Sequence, residues 1–442
     1  MDLYSIGDKI FKIIEKFNPD DIAIKIGRSF SQMIRFTNNE IIVSKEWIQT
    51  GASIYIGYKK RMLTAGINEF SNKNIENVVE NLIKSAKYIE PLEDYVSLPQ
   101  GPFKYNPIEK CFDKKILEED LSEKVYEAIE SALNSGAKRV AGVLNAGMGE
   151  KLLITSSGVK VFDKGTSISI TVRAFSNSVA SGQGISCSRT LDNFNPSLAG
   201  ERAGRIAKMA EKSVEGKAGK YMVILDPTVV GNLFNYIMYN LSAFSVIGKV
   251  SFFTGKLGMN VASEALNLID DGRMPGGLGS TMFDDEGIPT QRNILIERGV
   301  LRGFLHNTRT AKKFGVKSTG NAGWIYPHAW NIVVEGGEYN KDELFDEVRE
   351  GIYITNNWYT RYQNIREGIF SSITRDGVFY IRNGEIVNAI RGLRISDSFP
   401  NLLKNIQAMT RDKWPIVWWE VETPTYAPYI LLRELNLTKA TK

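Results

Sequence analysis

The stretch QMIRFTNNEIIVSKEW (residues 32–47) holds two strand-like runs on either side of an Asn-Asn turn. The preceding DIAIKIG (21–27) alternates apolar and polar residues, and GASIYIGYKKRMLTAGI (51–67) repeats the pattern. Alternation with a period of two is typical of β-strands that bury one face. Residues 21–67 are therefore predicted to form a four-strand meander.

Helices are predicted on both sides of this meander. Apolar residues recur at helical spacing between Leu3 and Phe17, and again between Ile75 and Ala86, as on the buried face of an amphipathic helix. A helix, a meander and a second helix make a compact α+β unit. We predict an N-terminal α+β domain over residues 1–95.

The next part of the chain repeats this order. Residues 91–119 contain four of the fourteen prolines and no clear periodicity, which predicts a connecting segment. A predicted helix from Leu121 to Leu133, strand-like runs between 138 and 176, and a helix from Pro196 to about Val214 follow. This order indicates a structural duplication and a middle α+β domain over residues 96–219.

The sequence after residue 220 is rich in short strands and in Gly- and Asp-containing turns. KYMVILD (220–226) predicts a strand, DGVFYIRNGEIVNAIRGLRI (376–395) a hairpin, Ser398 to Met409 a helix, and PIVWWEVETPTYAPYILL (415–432) an edge-like segment. Residues 220–442 are predicted to form a mostly β C-terminal domain. The predicted fold class is thus α+β, with N-terminal and middle mixed helix-and-antiparallel-sheet units before this domain.

The composition of the chain argues against several classes of function. The 442 residues are 43% hydrophobic and carry a net charge of +5 without dense basic blocks, so charge does not favour nucleic-acid binding. Cys111 and Cys187 stand in no CxxC spacing, and His306 and His328 are the only histidines, which excludes a His-rich metal centre within the chain. Without an apolar run of membrane-spanning length, we expect a cytoplasmic protein with no membrane contact.

Other candidate motifs favour structural interpretations. SGQGISC (181–187) lacks the third glycine of a dinucleotide site and is predicted to be a turn, and Leu257 after Lys256 argues against a phosphate loop. The acidic residues could gather a hard cation, but turn chemistry is favoured, and whether the Asp270 and Asp284 regions bind an ion stays open. That acidic set comprises Asp270, Asp271, Asp284, Asp285 and Glu286.

The two histidines are also given structural roles. His306 precedes a predicted helix that starts at Asn307 or Thr308, so a place beside the helix cap is favoured over catalysis. His328 follows a proline among aromatic residues and is predicted to be packed or in an exposed loop.

The predicted helix DPTVVGNLFNYIMYNLSAF (226–244) carries an unusual polar stripe. At 100° per residue its Asn and Tyr side chains share one half of the helix, opposite an apolar half. Because Tyr is typical of interfaces, a cavity wall or partner contact is at least as well supported as a hydrogen-bonded surface. The stripe is Asn232, Asn235, Tyr236, Tyr239 and Asn240.

Three consecutive stretches carry a resemblance to a known family. They are SFFTGKLGMNVASEALNLIDDG (251–272), GSTMFDDEGIPTQRNILIERGVLRGFLHNTRTAKKFG (279–315) and KSTGNAG (317–323). In this order they resemble the TldD/PmbA family, described as modulators of DNA gyrase and as zinc-dependent peptidases. Weaker similarity extends over nearly the whole chain.

The resemblance also points to a branch of that family. TldD-type members carry a zinc-binding HExxxH helix, and alignment on DPTVVG places Asn235, Tyr236 and Asn240 at its first His, its Glu and its second His. No Cys follows Cys187 to match that branch's further thiolate ligand. The chain therefore resembles the PmbA (TldE) branch, which lacks the zinc motif.

This resemblance implies a noncatalytic subunit with no metal or cofactor of its own, which forms one half of a TldD/TldE heterodimer. The TldD-type paralogue would supply zinc, and the pair would cleave unfolded peptides and small peptide precursors. Two alternatives stay open: a stand-alone hydrolase that uses His306, and a regulatory protein that binds a DNA gyrase-type partner.

Overall fold

The fold begins with a helix, three long strands and a second helix, in a computed structural model that describes residues 2–440. Their bounds are α1 (Leu3–Glu15), β1 (Asp21–Thr37), β2 (Glu40–Tyr58), β3 (Arg61–Ile67) and α2 (Asn72–Ser85). The prediction of four strands is wrong because β1 continues through residues 28–31, where it pairs with strands on both sides. The predicted runs at 21–27 and 32–37 are therefore parts of one strand.

The middle part repeats this layout after a connecting segment. Its elements are α3 (Lys115–Glu118), α4 (Ser122–Asn134), β4 (Arg139–Thr155), β5 (Lys160–Phe175), β6 (Ser181–Ser188) and α5 (Pro196–Met209). Helix α5 ends before the predicted Val214, which instead joins the short strand β7 (Val214–Glu215).

The segment 181–187 is part of strand β6, so the prediction of a turn there is wrong. The strand pairs with β5 along its whole length. A Cβ atom on Gly184 would overlap the carbonyl oxygen of Ala199, and one on Gly182 would overlap that of Ala203. The glycines therefore allow helix α5 to pack closely on the strand rather than turning the chain.

All six of these long strands form one sheet in the order β3-β2-β1-β4-β5-β6. The central pair is antiparallel, from Ala23 opposite Thr155 to Phe36 opposite Gly142. Helices α1 and α2 bury their apolar residues on one half of the sheet, and α4 and α5 on the other. The order is symmetric about the β1–β4 pair, as the predicted duplication requires.

The C-terminal part is mostly β, as predicted, and contains two further sheets. One has the order β11-β10-β9-β12-β19-β18; the other has the order β13-β8-β20-β16-β14-β15-β7, with β17 paired to β20. The elements are β8 (Gly219–Leu225), α6 (Pro227–Asn240), α7 (Ala243–Ile247), β9 (Leu268–Asp271), β10 (Arg292–Glu297), β11 (Val300–Leu301), α8 (Thr308–Phe314), β12 (Ile332–Val334), α9 (Lys341–Asp346), β13 (Glu350–Asn364), β14 (Ile369–Arg382), β15 (Glu385–Arg391), β16 (Leu393–Ser398), α10 (Phe399–Lys404), β17 (Ile406–Met409), β18 (Trp414–Trp418), β19 (Val421–Ala427) and β20 (Ile430–Lys439).

Two local predictions in this part have different outcomes. The hairpin is found as β14 and β15, joined at Asn383 and Gly384. The helix expected up to Met409 ends at Lys404, because Ile406–Met409 pairs with β20 instead. Between residues 2 and 440, no helix combines the length and apolar character needed to cross a membrane.

Candidate functional site

The candidate site is built around helix α6, whose start is fixed by a buried carboxylate. Asp226 is fully buried and caps the helix by accepting a hydrogen bond from the Thr228 amide at 2.9 Å. The same carboxylate lies 2.5 Å from the Arg202 guanidinium of α5 and accepts a 2.6 Å hydrogen bond from the Tyr353 hydroxyl of β13. The orientation of α6 is therefore tied to both neighbouring elements.

The polar stripe of α6 does not face one environment. Leu233 and Ile237, on the apolar half of α6, are fully buried. Asn232 and Asn240 of the stripe are fully buried as well, whereas Tyr239 is 48% exposed. A helix wheel cannot show this difference because it depends on what covers each part of the helix. The stripe is partly a cavity wall and partly an internal hydrogen-bond network.

Asn232 belongs to this internal network. Its Oδ1 accepts hydrogen bonds from Asn357 Nδ2 at 2.8 Å and from Thr360 Oγ1 at 2.6 Å, while its Nδ2 donates to the carbonyl of Glu420 at 3.0 Å. These contacts join α6 to β13 and to the turn before β19. A buried amide with partners at both ends stabilises one arrangement of these elements.

Asn235 bridges α6 and β19 in a similar way. Its Nδ2 donates to the carbonyls of Gly231 and Thr423, at 2.9 and 3.1 Å, and to Thr425 Oγ1 at 3.0 Å. Its Oδ1 accepts from the Thr423 amide at 2.9 Å. Both ends of the side chain are thus engaged by the chain itself.

Tyr236 and Asn240 are held by a second aromatic residue. The Tyr236 hydroxyl donates to the Thr360 carbonyl at 2.7 Å, and Asn240 Nδ2 donates to the Tyr362 hydroxyl at 2.7 Å. The Tyr362 hydroxyl in turn donates to the Tyr236 carbonyl at 2.9 Å. Burial raises the pKa of both tyrosines, so neither phenol can serve as a base near neutral pH.

A cavity of about 640 Å³ opens beside this helix. Its wall combines phenols with charged side chains of both signs, which can hydrogen-bond to a peptide backbone and pair with its side chains. Residues that define its chemistry are Tyr236, Tyr239, His328, Arg361, Glu420 and Glu422.

His328 is one of the cavity residues that were not predicted from the sequence, together with Arg361, Glu420 and Glu422. Its ring packs edge-on against Trp330, and its Nδ1 lies 3.2 Å from the Ala329 carbonyl oxygen. Burial lowers the pKa of the imidazole below its usual value, so the neutral form predominates at pH 7. The only signal in the sequence was its place in an aromatic segment beside a proline.

Asp270 holds the segment that carries His328. Its Oδ1 accepts from the backbone amides of Trp330 and Asn331, at 2.6 and 3.2 Å, and its Oδ2 accepts from Asn321 Nδ2 at 2.6 Å. Burial raises the pKa of this carboxyl to about 7. Through these contacts Asp270 positions the segment that forms part of the cavity wall, without lining the cavity itself.

The second acidic group ties loops together. Asp284 accepts from the amides of Ile288 and Ala322, at 2.9 and 3.0 Å, while Asp285 forms a 2.7 Å ion pair with Lys25. Glu286 accepts from the first amide of α8 at 2.9 Å. These contacts fit the turn interpretation, and among residues 2–440 no three His, Cys, Asp or Glu side chains are grouped to hold a metal ion.

His306 lies beside the cap of α8, as its position in the sequence indicated. Asn307 is the N-cap residue, and the imidazole Nδ1 is 3.3 Å from Thr310 Oγ1, with the ring against Phe314. The residue is 4% exposed and burial lowers its pKa to about 4. It does not line the cavity beside α6.

The positions aligned with the zinc motif do not provide a zinc site. Zinc in proteins is bound by thiolate, imidazole or carboxylate groups, whereas Asn235, Tyr236 and Asn240 offer amides and a phenol. Asn235 is used at both ends, and Asn240 keeps a single neutral oxygen without a hydrogen-bond partner. One neutral oxygen is not a donor set for zinc.

Comparison with known proteins places the chain in a family. Successive models match it over residues 23–86, 114–211 and 218–439, as domain 1, the central domain and the C-terminal domain of the PmbA/TldA metallopeptidases. A metalloprotease of Methanocaldococcus jannaschii is 25% identical over 92% of both chains.

Solved structures share the whole fold. TldE from Thermococcus kodakarensis superposes with a TM-score of 0.86 at 24% identity, over 98% of this chain and 100% of that one. A Thermotoga maritima protein described as a candidate modulator of a DNA gyrase gives 0.85 at 24% identity, over 99% and 100%. With all three domain models matched in order, the chain belongs to the PmbA/TldD metallopeptidase family.

Proposed function

We propose that this chain is a metal-free subunit of the PmbA/TldE type, which pairs with a zinc-bearing TldD-type paralogue. The heterodimer would cleave unfolded peptides and small peptide precursors. The observation that carries this proposal is the state of Asn235, at the position of the first zinc-ligating His. Its amide makes four hydrogen bonds, one to Gly231 within α6 and three that join α6 to β19.

The role left to α6 is that of a rigid wall. Arg361 and Glu420 place charges of both signs beside the phenols of Tyr236 and Tyr239, a combination suited to binding and orienting a polypeptide. No proton transfer or metal chemistry is assigned to these residues.

The free cysteines, Cys111 and Cys187, agree with a reducing cytoplasmic setting.

The test is co-purification of the chain with a paralogue that carries HExxxH, followed by metal analysis and a peptide-cleavage assay. We expect no stoichiometric zinc and no cleavage with this chain alone, and zinc-dependent cleavage by the complex. Cleavage by the isolated chain that persists in a chelator would contradict the proposal, as would failure of the two chains to associate.

A matched pair of variants separates the cavity from general surface effects. Tyr239 lines the cavity and is 48% exposed, while Tyr4 on α1 is 45% exposed and does not line the cavity. Tyr239→Ala should raise the KM of the complex or weaken its assembly, and Tyr4→Ala should do neither. Equal effects of the two changes would count against a functional cavity at α6.

A further inference from the structure

A cleft lies between the sheet formed by β1 to β6 and the C-terminal loops, on the face of that sheet opposite the helices. It consists of two adjoining cavities of about 1010 and 330 Å³, which share Gly149, Glu150, Lys151 and Trp330. The larger one also shares His328 with the cavity beside α6. The cleft therefore leads from the middle of the sheet to the candidate site.

The walls of this cleft carry an excess of positive charge. Cationic side chains outnumber carboxylates along these walls. The cations are Lys25, Arg28, Lys151, Lys164 and Arg189, and the carboxylates are Glu150, Asp163 and Asp285.

Lys151, unlike Lys25, forms no ion pair with a carboxylate among the described residues. Its ammonium group hydrogen-bonds to the Thr281 hydroxyl and lies 4.7 Å from the Phe283 ring centre and 5.6 Å from that of Trp330. The nearby carboxylates are engaged elsewhere: Asp285 pairs with Lys25 at 2.7 Å, and Asp163 accepts from the Thr281 hydroxyl and the Met282 amide.

The pKa of Lys151 agrees with this incomplete compensation of its charge. Burial lowers that pKa to about 8; Asp163 and Asp285 act in the opposite direction but do not restore the usual value, and Lys25 and Arg189 lower it further. An ammonium group that is desolvated and unpaired gains strongly when a ligand supplies a carboxylate.

The floor of the cleft is open enough for an extended chain. Gly66 of β3, Gly51 of β2, Gly27 of β1 and Gly149 of β4 line it, and neither Gly66 nor Gly149 has any atom within 4 Å of where a Cβ would stand. Four strands at ~4.8 Å spacing span about 14 Å, the length of roughly four extended residues.

We propose that this cleft binds an extended polypeptide segment and that Lys151 anchors it through a carboxylate of that segment. The choice of a polypeptide rests on the proposed function, but the anchor rests on the cleft itself. Walls that also carry Glu150 and Asp285 suit a chain of mixed charge, because these carboxylates would repel a continuous run of phosphates.

The test measures binding of fluorescein-labelled unstructured peptides to the isolated chain by fluorescence anisotropy. Four peptides of one sequence carry Glu or Gln side chains, combined with a free or amidated C-terminus, so that the source of the carboxylate is identified. We expect removal of the anchoring carboxylate to weaken binding about tenfold or more. Lys151→Met should abolish this discrimination.

Two glycine variants test the location. Gly66→Phe and Gly149→Phe place a ring in the open cleft, where strand positions accept aromatic residues, and should weaken binding at least tenfold with an unchanged circular dichroism spectrum. Gly303→Phe is the control, because Gly303 also has open space around its Cβ position but lines neither cavity of the cleft.

The proposal is overturned if wild type binds acidic and neutral peptides equally, or if the two cleft variants behave like Gly303→Phe. Displacement of the peptide by single-stranded DNA at lower concentration than by unlabelled peptide would replace polypeptide with nucleic acid as the ligand. Since the assay needs no paralogue and no cleavage, a failure of this proposal can be distinguished from a failure of the proposed heterodimer.

Discussion

The buried ion pair that fixes the start of α6 gives a quantitative prediction. Asp226→Asn keeps an oxygen that can accept from the Thr228 amide but removes the charge opposite Arg202, whose side chain is 19% exposed. The Asn amide would also present hydrogen atoms to two donors, the guanidinium and the Tyr353 hydroxyl. The variant thus leaves a largely buried cation without its partner.

Breaking such a pair by removing one member costs about 3–5 kcal/mol of the free energy of unfolding. Arg202→Met should cost a similar amount because it leaves the fully buried Asp226 carboxylate unpaired. The double variant should be less destabilised than the sum of the two, since neither charge is left alone. We expect a coupling free energy of about 2 kcal/mol or more.

Urea unfolding followed by tryptophan fluorescence measures this coupling, because all tryptophans except Trp47 lie in the C-terminal part of the chain. The wild type, both single variants and the double variant complete the cycle. If the two single costs simply add, the ion pair does not hold α6 and the reasoning is refuted.

Three further results are expected. Because burial lowers the pKa of His306 to about 4, stability should be complete above pH ~6.5 and fall by up to ~3 kcal/mol as the pH drops to 4; urea titrations at several pH values should show this loss, and His306→Gln should flatten it. Gly184→Ala should lower the melting temperature by several degrees because the new Cβ overlaps a carbonyl of α5, whereas Gly66→Ala, in open space, should leave it nearly unchanged; similar melting curves would disprove this packing. Tyr236→Phe, which removes the donor to the Thr360 carbonyl, should cost about 1 kcal/mol in urea unfolding, and an unchanged midpoint would show that the bond is not stabilising.

The periodic parts of the fold were predictable because they depend on local pattern. Alternation between residues 21 and 67 and helical spacing from Leu3 record which face each element buries. The same reasoning failed at β6 and at Ile406–Met409, where the deciding contacts come from distant segments: helix α5 covers the glycines of β6, and β20 pairs with the end of the predicted helix.

The candidate site was predicted only in part for a similar reason. Asn235, Tyr236 and Tyr239 do line a cavity, as a polar stripe can suggest. Asn240 is buried in spite of its place on that stripe, because α6 is covered on most sides. His328 reaches the cavity through a segment that a buried carboxylate holds in place, and no periodic pattern reports such a contact.

The central pairing of β1 with β4 determines how the chain can be divided. Each strand covers the backbone hydrogen-bonding edge of the other, from Ala23 opposite Thr155 to Phe36 opposite Gly142. A chain cut between the two halves would expose two long unprotected edges, which are templates for pairing with other molecules. In the intact chain each half therefore protects the other's strand edge from pairing with other molecules.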